Sequence, residues 1–156
     1  MVDQIVKTWR VHNKMNLILL DAIDNEGLKA RPVAKRKGRN VAQQFAHMHN
    51  VRLMWIELGA NDYLRGLQKI DRTKAENRKM LTRSFRDSGI AVEKLIKDVL
   101  EGKTKLKSFK PGAAVFMGYL ISHESHHRGQ IMLALKQSDM PINQKLQYRI
   151  WEWWKE

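Results

Sequence analysis

Apolar residues recur at steps of three and four along four long stretches of this chain, and no stretch alternates apolar with polar. A three-four step gathers side chains on one helical face, whereas a half-buried strand alternates. The chain is therefore expected to be all-α. In the first stretch Ile5, Trp9, His12, Asn16, Leu19, Leu20 and Ile23 share a face, and Gly27 is expected to end the helix. Pro32 and Gly38 break the connection "ARPVAKRKGRN", and Asn40 stands where the N-cap of a second helix belongs. That helix, "VAQQFAHMHNVRLMWIEL", should stop near Gly59, and "NDYLRGLQKID" reads as a mobile connection with one helical turn. Thr73 and Glu76 match a T-x-x-E capping box, opening a third long helix that Gly102 would stop. Its stripe runs Met80, Leu81, Phe85, Val92, Leu95, Ile96, Val99 and Leu100. Pro111 and Gly112 open a fourth helix ending before Pro141, and the tail "NQKLQYRIWEWWKE" suggests a short fifth. Four amphipathic helices joined by loops of roughly ten residues imply a four-helix bundle, a single domain over residues 1–156 with a short C-terminal helical segment. The loop lengths leave the order of the helices open.

Composition narrows the chemistry. With 43% hydrophobic and 29% charged residues over 156 positions, the chain has the balance of a globular protein. It has no cysteine, which removes disulfides, thiolate ligands and a cysteine nucleophile. His, Asp and Glu remain as strong metal ligands. No apolar run approaches the ~18–20 residues of a membrane span, and charges interrupt the N-terminal run too early for a signal peptide, so a cytoplasmic protein is expected.

The net charge of +13 attracts polyanions in general. One basic cluster, Lys29, Arg31, Lys35, Arg36, Lys37 and Arg39, falls in a connection, as does a second, Lys103, Lys105, Lys107 and Lys110. Arg72, Lys74, Arg78, Lys79, Arg83 and Arg86 dot helix faces. No aromatic residues interleave with the loop clusters to stack on bases. A solvated basic surface is the expected reading, and a nucleic-acid-binding surface is the alternative.

Five of the six histidines fall on two helices: His47 and His49 on the second, His123, His126 and His127 on the fourth, with His12 on the first. At ~100° per residue His123 and His127 lie about 40° apart, one turn from each other, so two imidazoles can reach one ion. A catalytic-type site takes three protein ligands and an open position. His47 and His49 are about 200° apart, so at most one can face the same point, and periodicity leaves the choice open. The string His123-Glu124-Ser125-His126-His127 also satisfies H-E-x-x-H, the zinc-peptidase signature, with Glu124 as base and Glu152 as a downstream third ligand. Those enzymes usually seat substrate on a strand edge, which this pattern lacks, so the peptidase reading is the weaker one.

Three segments carry a resemblance to a known family. "SHESHHRGQIMLAL" is similar to the H-x-x-x-H-R-G-Q-I segment of the DinB/YfiT-like superfamily, small bacterial four-helix proteins whose founding members are linked to DNA-damage induction. "VAQQFAHMHNVRLMWIE" resembles that family's second helix, and "YRIWEWWKE" the aromatic ending of one branch. The resemblance implies a metal triad of His47, His123 and His127, holding zinc or nickel, and favours His47 over His49 by its distance from Trp55. It implies that Gly129 permits close helix packing, that Arg128 or Gln130 hydrogen-bonds across the bundle, and that His126 is either a supporting or an outward residue. Glu124 becomes a surface or supporting carboxylate and not a general base. It further implies a homodimer, and, in some members, a thiol-dependent transferase or isomerase using a low-molecular-weight thiol such as bacillithiol or mycothiol, or a related hydrolase, with a non-catalytic stress-response protein as the alternative.

Overall fold

The computed structural model describes residues 1–33 and 38–156, and among these every regular element is helical. Four long helices, α1 (Val2–Asp21), α3 (Val41–Gly59), α4 (Arg78–Leu100) and α5 (Ala113–Gln137), form the bundle. Two short ones, α2 (Asn25–Lys29) and α6 (Gln144–Arg149), flank it. Packing settles the order that loop lengths left open. Both α1 and α3 pack on α4 and α5, which places α1 and α3 diagonally, while α4 and α5 also touch across the shorter diagonal. Lys35, Arg36 and Lys37 of the first basic cluster lie outside the described residues.

Local chemistry sets the boundaries, and two differ from expectation. The first helix ends at Asp21, not at Gly27, because the Asp24 side chain accepts from Gly27 N–H and starts the separate helix α2. The third long helix starts at Arg78, with the Asn77 side chain accepting from Met80 N–H. The T-x-x-E box does not form. Thr73 instead donates to the Asp71 carboxylate in a 3-10 turn, and Glu76 accepts from Asn40 Nδ2.

Other ends match the pattern. Asn40 and Gln43 close a reciprocal capping box on α3. After α4, Gly102 sits at φ 74, and Lys103 N–H reaches back to Asp98 O, a Schellman-type stop that a β-carbon would strain. The connection after α3 does carry a helical turn, Asn61–Leu64. Its far end is pinned: Asn50 both donates to and accepts from the Ile70 backbone, and His49 Nε2 donates to Gln68 O.

The predicted faces are the buried ones. Trp9, Leu19, Leu20 and Ile23 on the first stretch are buried, as are Leu81, Phe85, Val92, Leu95 and Ile96 on α4. Phe45 meets Phe85 edge-on at 5.8 Å in one half of the core, and Trp9 packs in the other with Val92 and Phe116. The tightest passage joins α1 to α4. A β-carbon on Gly89 would come within 2.3 Å of the Asn13 side chain, and the Gly89 carbonyl accepts from Trp9 Nε1. No described helix is long and apolar enough to cross a membrane.

A candidate metal centre between α3 and α5

The site lies where α3 and α5 face each other. His123 and His127, one turn apart on α5, turn their rings toward His47 on α3, with ring centroids 5.3 and 4.6 Å from it. One nitrogen of each of the three lies within 4.8 Å of the other two. Nε2 of His123 and Nε2 of His127 are 3.1 Å apart. Two nitrogens bound at ~2.0–2.1 Å to one tetrahedral ion stand about 3.3 Å apart, so the pair is already spaced for shared coordination.

Second contacts fix how the rings point. Nδ1 of His127 lies 2.7 Å from Gln44 Oε1. A carboxamide oxygen only accepts, so the proton sits on Nδ1 and the Nε2 lone pair faces the other histidines. His123 has a buried Nδ1 without a partner among the described residues. Its outer face stacks on Tyr119 at 6.0 Å and 21°, and Tyr119 continues into an aromatic wall with Trp55 and Phe109.

The electrostatics suit neutral ligands. Burial first, then the Arg39 guanidinium and His123, lowers His47 to about 4. Burial and the neighbouring histidines lower His127 to about 3, and burial lowers His123 despite the nearby Glu124 charge. Uncharged imidazole is the form that donates to a metal, and all three rings hold it at neutral pH. The donor set fits a borderline divalent ion in a site of open coordination.

The remaining sequence candidates separate cleanly. His49 points the other way: it is fully buried and bonded to the Gln68 carbonyl. His126 is exposed and takes a hydrogen bond from Gln130 Nε2. Arg128 does reach across the bundle, donating to Asn16 Oδ1. Gly129 does not serve close packing, since a β-carbon there would meet nothing within 4 Å.

Glu124 is the largest revision. It is not a surface group but fully buried, held between α5, α3 and α1. Arg52 grips it with two hydrogen bonds of 2.6 and 2.7 Å, and His12 and Asn16 contact the same carboxylate at 2.9 and 2.8 Å. Burial alone would raise the carboxyl, but the Arg52 charge and hydrogen bonds hold it at about 2. Fully buried and held by Arg52, His12 and Asn16, it is not free to serve a metal-bound water, and the H-E-x-x-H reading loses its base. Glu152, in the C-terminal segment, is not among the clustered ligand groups.

Two partners escaped the sequence reading. Gln44 shares the stripe of His47, a signal that was present in the periodicity. Arg52 lies on the apolar stripe of His49, and an arginine on a buried face demands a carboxylate. Glu124 is that carboxylate.

No curated protein and no solved structure matches the chain at significant similarity. The family model described as "DinB family" matches residues 1–140, leaving out only α6 and the tryptophan-rich end. Bundle, histidine cluster and family match agree in their placement along the chain, and the chain belongs to the DinB family.

Proposed function

We propose that the protein is a divalent-metal protein in which His47, His123 and His127 hold one zinc or nickel ion, and that it transfers a small thiol to an electrophilic substrate. The observation that carries the metal reading is the convergence of three neutral imidazoles, with His127 oriented by Gln44. Three neutral ligands leave a bound divalent ion its full charge, which lowers the pKa of a thiol or water reaching the open position. Around it, the protein supplies positioning. The Tyr119–Trp55–Phe109 rings give it an aromatic wall on one side, and the Glu124–Arg52 pair ties α5 to α3. Thiol transfer, a homodimeric state and a place in a stress response come from the resemblance to other members of the family.

Metal-loaded protein mixed with bacillithiol, mycothiol or glutathione and a panel of soluble electrophiles should consume thiol with the metal and not without it. Thiol consumption at the same rate in the His123→Ala variant would sink the transferase reading. A second reading, binding to nucleic acid, rests on the exposed Arg72, Lys74 and Arg86 near and along α4. It predicts salt-dependent DNA retention unchanged by loss of all three histidines.

A further inference from the structure

A cavity of about 380 Å³ lies beside the histidine cluster, lined by Pro32, Gly38, Arg39, Gln44, Gln130, Leu133 and Gln137. It adjoins the cluster through Gln44, whose carboxamide oxygen accepts from His127, and through Gln130, whose amide reaches His126. Among the described residues no carboxylate lines it.

Most of its polar groups are donors; the exception is Gln130, whose NH2 is spent on His126 and whose oxygen is an uncharged acceptor. Gln44 is only 6% exposed, and with its oxygen spent on His127 its NH2 group makes no hydrogen bond to any described residue. Gln137 spends its oxygen in the same way, accepting from the Val33 backbone N–H, which leaves a second NH2 group. Arg39 adds a permanent positive charge and is not ion-paired with any described residue. At the α3 N-terminus the Gln43 amide is taken by the capping box and the Val41 amide by the Ala30 carbonyl. Leu133, about half exposed, gives the cavity an apolar floor.

Donors, a guanidinium and no acceptor of negative sign make a poor site for a cation or a neutral hydroxyl compound and a good one for an oxyanion. Arg39 is also close enough to press on all three histidines, lowering each alongside the larger effect of burial. A fixed cation opposes a divalent ion nearby, and an anion seated between them would relieve that repulsion.

We propose that this cavity is a subsite for the anionic end of a small organic substrate, a carboxylate or a phosphate, gripped by Arg39 and the amide donors of Gln44 and Gln137. The apolar body would lie over Leu133, and its reactive end would face the histidines. That last orientation rests on the metal-centre reading; the anion grip itself uses protein donors alone.

The test uses the full chain, metal-free after chelation, titrated by calorimetry with benzoate, phenyl phosphate and benzyl alcohol. One equivalent of benzoate or phenyl phosphate should bind, with benzyl alcohol at least tenfold weaker. Benzoate alone would name a carboxylate, and phenyl phosphate alone a phosphate. Arg39→Gln and Leu133→Glu should each weaken the bound anion at least tenfold, while His123→Ala and the distant Arg86→Gln leave it within about twofold. Equal binding of alcohol and anions, no binding at all, or equal losses in Arg39→Gln and Arg86→Gln would overturn the proposal. If the protein takes up no metal yet holds benzoate through Arg39, the metal-centre reading falls and the anion subsite stands.

Discussion

His127 Nδ1–H donates to Gln44 Oε1 across 2.7 Å, and in doing so aims its other nitrogen at His123, 3.1 Å away. One hydrogen bond between α5 and α3 thus decides both the tautomer and the direction of a candidate ligand. Replacing Gln44 by Leu keeps the volume and removes the acceptor. Metal affinity, measured by competition with a chromophoric chelator, should fall about 10- to 100-fold, with the circular-dichroism spectrum unchanged. An unchanged affinity would mean that Gln44 only packs.

Glu124 behaves in this account as an internal strut. Glu124→Gln leaves the Arg52 guanidinium buried without its counter-charge, at a cost on the order of 3–5 kcal/mol in unfolding free energy. The divalent-metal content should nevertheless survive in whatever fraction remains folded. A peptidase would give the reverse: intact stability and abolished peptide hydrolysis.

Acid should unfold the protein in two stages. Glu124 stands at about 2 in the fold against an ordinary value of 4.5. A depressed carboxyl contributes stability that is complete above the ordinary value and is lost as pH falls through 4.5 toward 2. The gap corresponds to about 3 kcal/mol. His12, lowered chiefly by burial, acts in the same direction but earlier, because the unfolded chain takes up its proton first as pH drops below 6.5. Urea midpoints should be flat above pH 7, fall below 6.5 as His12 and the other lowered histidines His47, His49, His123 and His127 are protonated first in the unfolded chain, and fall further below 4.5. In Glu124→Gln the part below 4.5 should shrink.

The histidines carry a separate signature. His47 near 4 and His127 near 3 remain unprotonated well below the 6.5 of a free imidazole. Protons therefore compete little for the cluster between pH 7 and 5.5, and zinc uptake should stay nearly constant across that interval. A loss of affinity centred on 6.5 would indicate solvent-exposed ligands instead.

Much of the architecture was legible because periodicity reports burial directly. The stripes through Trp9, Leu19 and Phe85 read off the sequence are the buried ones. Boundaries failed where two capping residues competed. Thr73 lost to Asn77, since Asp71 had already captured Thr73. His123 and His127 could be paired from spacing, while His47 and His49 could not be separated by it. What separates them is tertiary: the Gln68 carbonyl claims His49, whereas His47 faces α5. Glu124 was misjudged because adjacency to His123 in sequence suggests adjacency in space. On a helix the next residue points about 100° away, here into the core toward Arg52 and His12.

The most direct test of the central claim is elemental analysis of the purified protein and of its His47→Ala, His123→Ala, His127→Ala and His49→Ala variants, each after zinc or nickel loading and desalting. About one ion per chain is expected in the parent and in His49→Ala, and a large loss in the other three. No retained ion in the parent, or retention in a variant lacking His47, His123 and His127 together, would contradict it.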